Sequence, residues 1–232
     1  MKRFYKDVSV APEGTGWRVL LDGKAIRTPA KVAQLVPSEA LAQVMALEWS
    51  AQGPQIDPAA FIFRDMTDYA IDVVARDPAA AAADLLRYAE TDTLCYRAEA
   101  GEALQDRQIE IWEPLLRAAE LRWDIHFERV EGILHRPQAP ATLARMGAVL
   151  APLDAFTLGA LTTLTTLTAS LVIGLAALED SADGEALWAA ANLEEDWQAE
   201  LWGKDAEALA LRARRLAEFS AAMRFAGLVN EG

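Results

Sequence analysis

The sequence predicts an α+β protein in which a small N-terminal antiparallel β domain precedes a larger α-helical domain. Residues 1–37 contain short β-type segments separated by turn signals, whereas residues 38–232 contain long stretches with apolar residues at helical spacing. The charge divides similarly, because seven basic and three acidic residues lie in the first region and 15 and 32 in the second. We therefore place the domain boundary between residues 37 and 38.

The β region is predicted from its turns. Residues 17–21 and 24–27 flank Asp22 and Gly23, a pair that readily adopts the positive φ angles of a two-residue hairpin turn. A second turn is expected over residues 14–16, after the weak alternation of residues 6–10. Residues 32–36 are a candidate for a further strand.

The helical region begins at Ser38, which is a good N-cap for a helix that ends before Gly53 and Pro54. Pro114 lies inside a later helix and is expected to kink or split it. Residues 125–130 alternate as a strand does. The remaining helices are expected over residues 64–76, 78–89, 102–123, 141–151, 155–179, 183–202 and 204–228.

Residues 155–178 form an uncharged segment that is long enough to cross a bilayer. Its flanks are acidic, it contains six threonines, and no aromatic residues bracket it. These features favour a helix buried inside a bundle, which is also apolar on all sides. A membrane-anchored scaffold remains the alternative.

The composition limits the classes of partner. The chain has 35 acidic and 22 basic residues, a net charge of −13, so nucleic acid is not expected to bind and a basic protein surface is favoured. Cys95 is the one cysteine, which excludes an internal disulfide. Because the strand-like pattern begins directly after the N-terminus and no targeting segment precedes it, we expect a cytoplasmic protein.

The sequence contains no recognisable catalytic or metal-binding motif. His126 and His135 are the two histidines and lack the spacing of metal ligands, and Cys95 resembles a small core residue. Neither a nucleophile elbow nor a glycine-rich phosphate loop is present. We therefore predict a protein without catalysis, cofactor or metal.

Residues 188–202 are unusual because three consecutive acids lie among three tryptophans. At 100° per residue on one continuous helix, the apolar residues gather on a core face. This face is expected to contain Leu187, Ala190, Leu193, Trp197 and Leu201.

Acidic residues lie inside and beside that face. Glu194 falls within it, whereas Glu195 shares a neighbouring stripe with Trp188 and Trp202. A carboxylate between tryptophans is typical of interaction surfaces. We predict that a partner binds to Glu194, Glu195, Asp196, Trp188, Gln198 and Trp202. Two alternatives remain: an ordinary amphipathic helix with solvated acids, and a hydrolase that uses a carboxylate pocket around Glu194 and Glu195.

Four segments, in this order, give the chain a specific resemblance. They are residues 19–29, 48–52, 84–96 and 193–198, the last followed by Trp202 and Gly203. Together they resemble the assembly chaperones that handle the α subunit of the F-type ATP synthase head, a family of mitochondria and alphaproteobacteria. The likeness covers nearly the whole chain.

The resemblance implies a chaperone with a β domain and a helical domain, without catalysis or cofactor. Such a protein binds the unassembled α subunit and prevents its aggregation until the β subunit displaces it. The resemblance assigns function to the acids at 194–196, among which we favour Glu195. Glu48 and Trp49 match a pair that is expected to stabilise the fold. It also implies a bacterial cytoplasmic protein, with the mitochondrial matrix as the location of eukaryotic relatives.

Overall fold

The computed structural model describes residues 1–132, 135–203 and 205–231. The chain divides into two compact units. Unit 1 contains Met1–Pro78, Asp154–Ala160 and Arg224–Gly232, and unit 2 contains Ala79–Leu153 and Leu161–Met223. This division differs from the predicted boundary between residues 37 and 38, which stays a prediction. The fold class is confirmed, because a small N-terminal antiparallel sheet is followed by a mostly helical region.

Unit 1 begins with a three-stranded antiparallel sheet of order β1-β2-β3. The strands are β1 (Val8–Glu13), β2 (Gly16–Leu21) and β3 (Lys24–Ala25). Asp22 and Gly23 have positive φ angles of 48° and 75°, so the predicted two-residue turn is confirmed. Gly16 is required for packing, because a Cβ there would lie 2.7 Å from the carbonyl oxygen of Val36.

The further strand expected over residues 32–36 does not form. This segment makes two isolated bridges, Trp17 to Val36 and Arg27 to Ala33, and no ladder extends between them. The chain turns sharply at Lys31, whose φ is 65°. Residues 32–36 therefore form single bridges and not a strand of the sheet.

Two helices complete the early part of unit 1, α1 (Glu39–Ser50) and α2 (Ile62–Asp72). Ser38 caps α1 as predicted, since its Oγ accepts a hydrogen bond from the Leu41 amide at 3.1 Å. The single helix expected over residues 64–76 is wrong. The observed helix α2 begins two residues earlier than expected and ends at Asp72. A 3₁₀ turn over Val74–Arg76 takes the place of the last predicted turn.

The later helices lie close to the predicted ranges, but two of the predicted helices are each divided into two. They are α3 (Pro78–Glu90), α4 (Ala103–Trp123), α5 (Pro140–Leu150), α6 (Ala155–Thr168), α7 (Leu171–Ala176), α8 (Gly184–Ala191), α9 (Leu193–Trp202) and α10 (Ala206–Asn230). Pro114 neither splits nor ends α4, which runs for 21 residues. The strand expected over 125–130 is reduced to β5 (Val130–Glu131), which pairs in parallel with β4 (Tyr96–Arg97).

The apolar segment over 155–178 forms two helices instead of one. Ala169 adopts a left-handed conformation with φ 49°, and Ser170 then caps α7 through a hydrogen bond from the Ile173 amide at 3.0 Å. The predicted continuous helix over 155–179 is therefore wrong. Within the described parts of the chain, no helix is both long and apolar enough to cross a membrane.

The predicted helix over 183–202 is also divided in two. Asn192 has φ −105° and ψ 17°, which lie outside the helical region, so α8 ends before it and α9 begins after it. Its side-chain amide donates to the Trp188 carbonyl oxygen at 2.8 Å, which closes the end of α8. Residues before and after Asn192 therefore do not share one continuous helical register.

Candidate partner-binding site

The acidic segment singled out by sequence lies on α9 and is open to solvent. Glu194, Glu195 and Gln198 are exposed, and Trp202 is 78% exposed. Leu193 is the buried anchor of this helix. Four of the six predicted binding residues therefore face solvent, and they do so on one ten-residue helix.

The three consecutive acids have different surroundings. A Glu194 carboxylate oxygen accepts from the Gln108 side-chain amide at 2.7 Å. Both Asp196 oxygens accept from the Arg212 guanidinium, one of them at 2.6 Å. The Glu195 carboxylate makes no hydrogen bond or ion pair with any residue in the described ranges. Its charge is the one among the three that remains available to a partner.

The neighbouring end of α9 is held by an arginine from α4. Arg107 pairs with Glu200 at 2.8 Å, and its guanidinium lies 5.2 Å from the centre of the half-buried Trp197 ring. This arrangement fixes α9 against α4 through charge and cation–π contact. Glu200 is thereby occupied within the molecule.

The core face expected in the sequence analysis is confirmed at Leu187, Ala190 and Leu193, which are buried, and is wrong for one residue on each side of Asn192. Leu201, expected in the core, is 57% exposed, and Trp188, expected beside Glu195, is buried at 4%. The Trp188 ring packs on Phe219 with 5.5 Å between ring centres. The break between α8 and α9 accounts for both differences, because the 100° rotation was carried through a residue that is not helical. The buried Trp188 ring therefore anchors α8 through its packing on Phe219.

A cleft of about 880 Å³ lies between α9 and the first half of α10. Its walls include Glu195, Gln198 and Trp202 from α9. The opposite wall, which sequence reasoning did not identify, contains Leu209, Leu211, Arg212 and Arg215 of α10. Leu209 and Leu211 are 46% and 40% exposed, and their exposure could not be inferred from the sequence, where they lie among alanines at the start of a helix. The cleft combines an acidic wall with apolar and basic groups.

Glu48 and Trp49 lie in unit 1 and have structural contacts. The two Glu48 oxygens accept from the amides of Phe63 at 2.7 Å and Arg64 at 2.9 Å, which caps the start of α2. Burial raises the pKa of Glu48, and these backbone hydrogen bonds oppose the rise. Trp49 is buried and packs on Phe61 with 4.5 Å between ring centres. The pair joins α1 to α2.

The other residues considered for chemistry are dispersed. Cys95 is fully buried, as predicted for a core residue, and burial strongly raises the pKa of its thiol. His126 lies 3.0 Å from a Glu120 oxygen, and His135 lies 3.1 Å from the Tyr96 hydroxyl. Among the described residues, no group of three or more His, Cys, Asp or Glu side chains could hold a metal ion.

The site is suited to binding and poorly suited to catalysis. Its carboxylates face solvent in an open cleft, so they lack the desolvated and enclosed environment that prepares a carboxylate for acid–base chemistry. An exposed acidic helix with an exposed tryptophan is suited to recognition of a complementary protein surface. The fold is mostly helical with a small β region, and its exposed acidic surface has features suited to binding another protein.

A family model described as ATP12 chaperone protein matches residues 2–120, just over half of the chain. The chain therefore belongs to the ATP12 chaperone family, whose members are ATP synthase assembly chaperones. It is 25% identical over 215 residues to the mitochondrial protein atp12 of Schizosaccharomyces pombe, which covers 87% of this chain and 74% of that relative.

Solved structures agree over the full length. The crystal structure of Atp12 from Paracoccus denitrificans has 40% identity and a TM-score of 0.94, and covers 99% of this chain and 98% of that one. A point mutant of the same Paracoccus protein matches equally well. The Atu1473 protein of Agrobacterium tumefaciens has 42% identity and a TM-score of 0.93, and covers 99% of this chain and 86% of that one.

The family relationship decides between the sequence-based hypotheses. These relatives are assembly chaperones and not enzymes, so the hydrolase alternative around Glu194 and Glu195 is not retained. ATP synthase assembly is the process in which this chain acts.

Proposed function

We propose that this chaperone binds the unassembled α subunit of the F-type ATP synthase head and prevents its aggregation until the β subunit displaces it. A free subunit exposes a surface that is built to contact another subunit, and such surfaces aggregate readily. The bacterial cytoplasm, where the head would assemble, is the proposed location, as the mitochondrial matrix is for eukaryotic relatives.

The observation that carries the proposal is the open acidic surface of α9. Glu195 is exposed and unpaired among the described residues, and Trp202 beside it offers a large exposed apolar ring. Charge accelerates encounter with a basic partner, and the aromatic ring adds contact area. We propose contacts through Glu194, Glu195, Asp196, Gln198 and Trp202, with Trp188 supporting this surface from the core.

Release in this proposal depends on competition. The sequence contains no phosphate-binding loop, so nucleotide hydrolysis is not invoked. The β subunit needs only a higher affinity for the same α surface, because mass action then moves α from the chaperone to β. A polar, charged interface favours fast and reversible association.

A binding titration of the parent chaperone against separately purified α and β subunits tests the proposal. We expect binding to α alone, and weaker binding at about 200 mM salt than at about 50 mM because charge contacts are screened. Binding to β alone, or to neither subunit, would overturn the proposed partner while leaving the family assignment intact.

Glu195→Lys tests the site itself. The substitution reverses the one unpaired charge of the acidic cluster, and we expect the affinity for α to fall about tenfold or more. Glu39→Lys is the matched control, because Glu39 is also an exposed acid in the first turn of a helix, in unit 1. Equal losses in both variants would indicate a non-specific charge effect and contradict the assigned site.

A further inference from the structure

A second surface of unit 2, which adjoins the acidic face of α9, has the features of a binding groove. It is a depression of about 1180 Å³ bounded by α4 on one side and by α7, α8 and the start of α9 on the other. We call it the α4 groove. Its apolar lining includes Ile111, Leu115, Leu121, Val172, Leu187 and Leu193.

Alanines make the groove deep. Ala118 and Ala119 of α4 face Ala186, Ala189 and Ala190 of α8 along its length. Because each of these side chains is a single methyl group, the two walls cannot fill the space between them. Large exposed apolar groups stand at its edge, where Leu121 is 88% exposed and Ile111 is 40% exposed. Leaving such groups in water is unfavourable unless another surface covers them.

At the rim of the groove, the charged residues without an ion-pair partner among the described residues are acidic. Arg107 and Arg122 line it, but each is already paired with a rim carboxylate, Glu200 and Glu179 respectively. Glu110 and Asp183 also line it and make no ion pair with a described residue, although one Asp183 oxygen caps α8 by accepting from the Ala186 amide at 3.0 Å. An apolar segment that carries a lysine or arginine at its end therefore complements both the floor and the rim.

The groove is continuous with the surface proposed to bind the α subunit. Asp196 and Glu200 line both the α4 groove and the cleft between α9 and α10. A single partner could therefore occupy both surfaces by passing over α9. Apolar segments that dock between helices of a groove are a common mode of recognition.

We propose that the α4 groove binds an apolar segment, flanked by lysine or arginine, of the unassembled α subunit. This inference rests on the proposed function. The acidic surface of α9 supplies fast encounter, and the groove covers apolar surface of the client that would otherwise aggregate.

Filling the groove tests the inference. Ala189→Trp places a large ring over the floor at an exposed position, so the fold should tolerate it. Ala83→Trp is the matched control, because Ala83 is exposed in the middle of α3 and does not line the groove. We expect Ala189→Trp to weaken α binding about tenfold or more and Ala83→Trp to change it little.

A fluorescent reporter gives an independent readout. Cys95 is fully buried, so a thiol-reactive, environment-sensitive dye attached to Leu121→Cys will label the groove edge selectively. Leu47→Cys is the control, since Leu47 is an exposed leucine of α1 in the other unit. Addition of α should shift the emission of the dye at 121 to shorter wavelength and leave the dye at 47 unchanged.

The outcomes separate the groove from the proposed function. If α binds the parent but neither the dye at 121 nor the Ala189→Trp affinity responds, the groove proposal is overturned and the proposed function stands. If α does not bind the parent at all, both are overturned. A dye response at 121 that depends on chaperone concentration alone would assign the groove to a second copy of this chain, which also overturns the proposal.

Discussion

Asp92 is the residue whose environment most clearly links sequence to fold. Its carboxylate is fully buried and accepts hydrogen bonds from the Leu94 and Val172 amides, each at 3.0 Å. One oxygen thus organises the turn before β4 while the other holds the start of α7. Burial raises the pKa of Asp92 to about 6, against the opposing effect of these hydrogen bonds.

Asp92→Asn should lower the free energy of unfolding by about 1–3 kcal/mol, because an amide cannot replace both acceptor oxygens. The loss should also depend on pH. The unfolded carboxyl titrates near 4, so between about pH 4 and 6 the folded parent binds more protons and loses stability as pH rises. The asparagine variant lacks this slope, so its deficit should be larger at pH 4.5 than at pH 7.

Urea unfolding of parent and variant at both pH values measures the effect. Asp84→Asn is a suitable control, because Asp84 is exposed on α3 and makes only a long pair with Arg87 at 3.9 Å. A stability difference between parent and Asp92→Asn that stays constant from pH 4.5 to 7 would contradict the raised pKa of Asp92.

The acidic segment of α9 could be recognised from the sequence. The side chains within the molecule that pair with its acids could not. The acids at 194–196 were identified because three carboxylates among tryptophans are unusual. Gln108 and Arg212, which occupy two of those acids, lie 86 and 16 residues away in the chain. Neither separation leaves a periodic signal, so only the folded structure distinguishes Glu195 from its neighbours.

At the scale of elements, helix existence was more predictable than helix interruption. The uncharged, apolar composition of residues 155–178 indicates a helix on both sides of Ala169, but alanine normally favours helix continuation. The break depends on Thr93, whose amide and hydroxyl donate to the Ala169 carbonyl oxygen at 3.2 and 2.9 Å. A tertiary contact therefore overrides local propensity, although Ser170 was a visible capping signal.

The close crossing of α6 and α7 depends on Gly174. A Cβ at this position would lie 2.4 Å from the Thr165 hydroxyl oxygen and 3.3 Å from its amide nitrogen. Gly174→Ala should therefore lower the free energy of unfolding by about 1–3 kcal/mol through overpacking. Thermal and urea unfolding measure this change.

Gly227→Ala is the matched control, because a Cβ can be added at this helical glycine without a steric clash. Gly227 lies in α10 with nothing within 4 Å of the added Cβ, so this substitution should raise stability by up to about 1 kcal/mol through helix propensity. Opposite signs for the two variants would support the crossing geometry. A neutral or stabilising Gly174→Ala would show that the two helices can separate without cost.

At the scale of the whole molecule, charge affects folding and binding in opposite senses. The chain carries a net charge of −13, and self-repulsion at this level opposes the compact state. The ion pairs described on its surface, such as Arg107 with Glu200, contribute only modestly to stability. In the proposed function, the negative charge therefore favours association with a basic partner at the expense of the stability of the chaperone.

Raising the salt concentration from about 20 to about 200 mM should therefore raise the melting temperature of the free chaperone by a few degrees while weakening its complex with the α subunit about tenfold. Screening reduces repulsion within the chaperone and attraction between the partners by the same mechanism. Thermal melts and titrations over one salt series measure both quantities, and sucrose at matched osmolarity controls for effects unrelated to charge. In Glu195→Lys the salt dependence of binding should be shallower, because one attractive contact has been removed. If salt weakened the complex equally in parent and variant, the attraction would have to arise from acids outside the α9 surface.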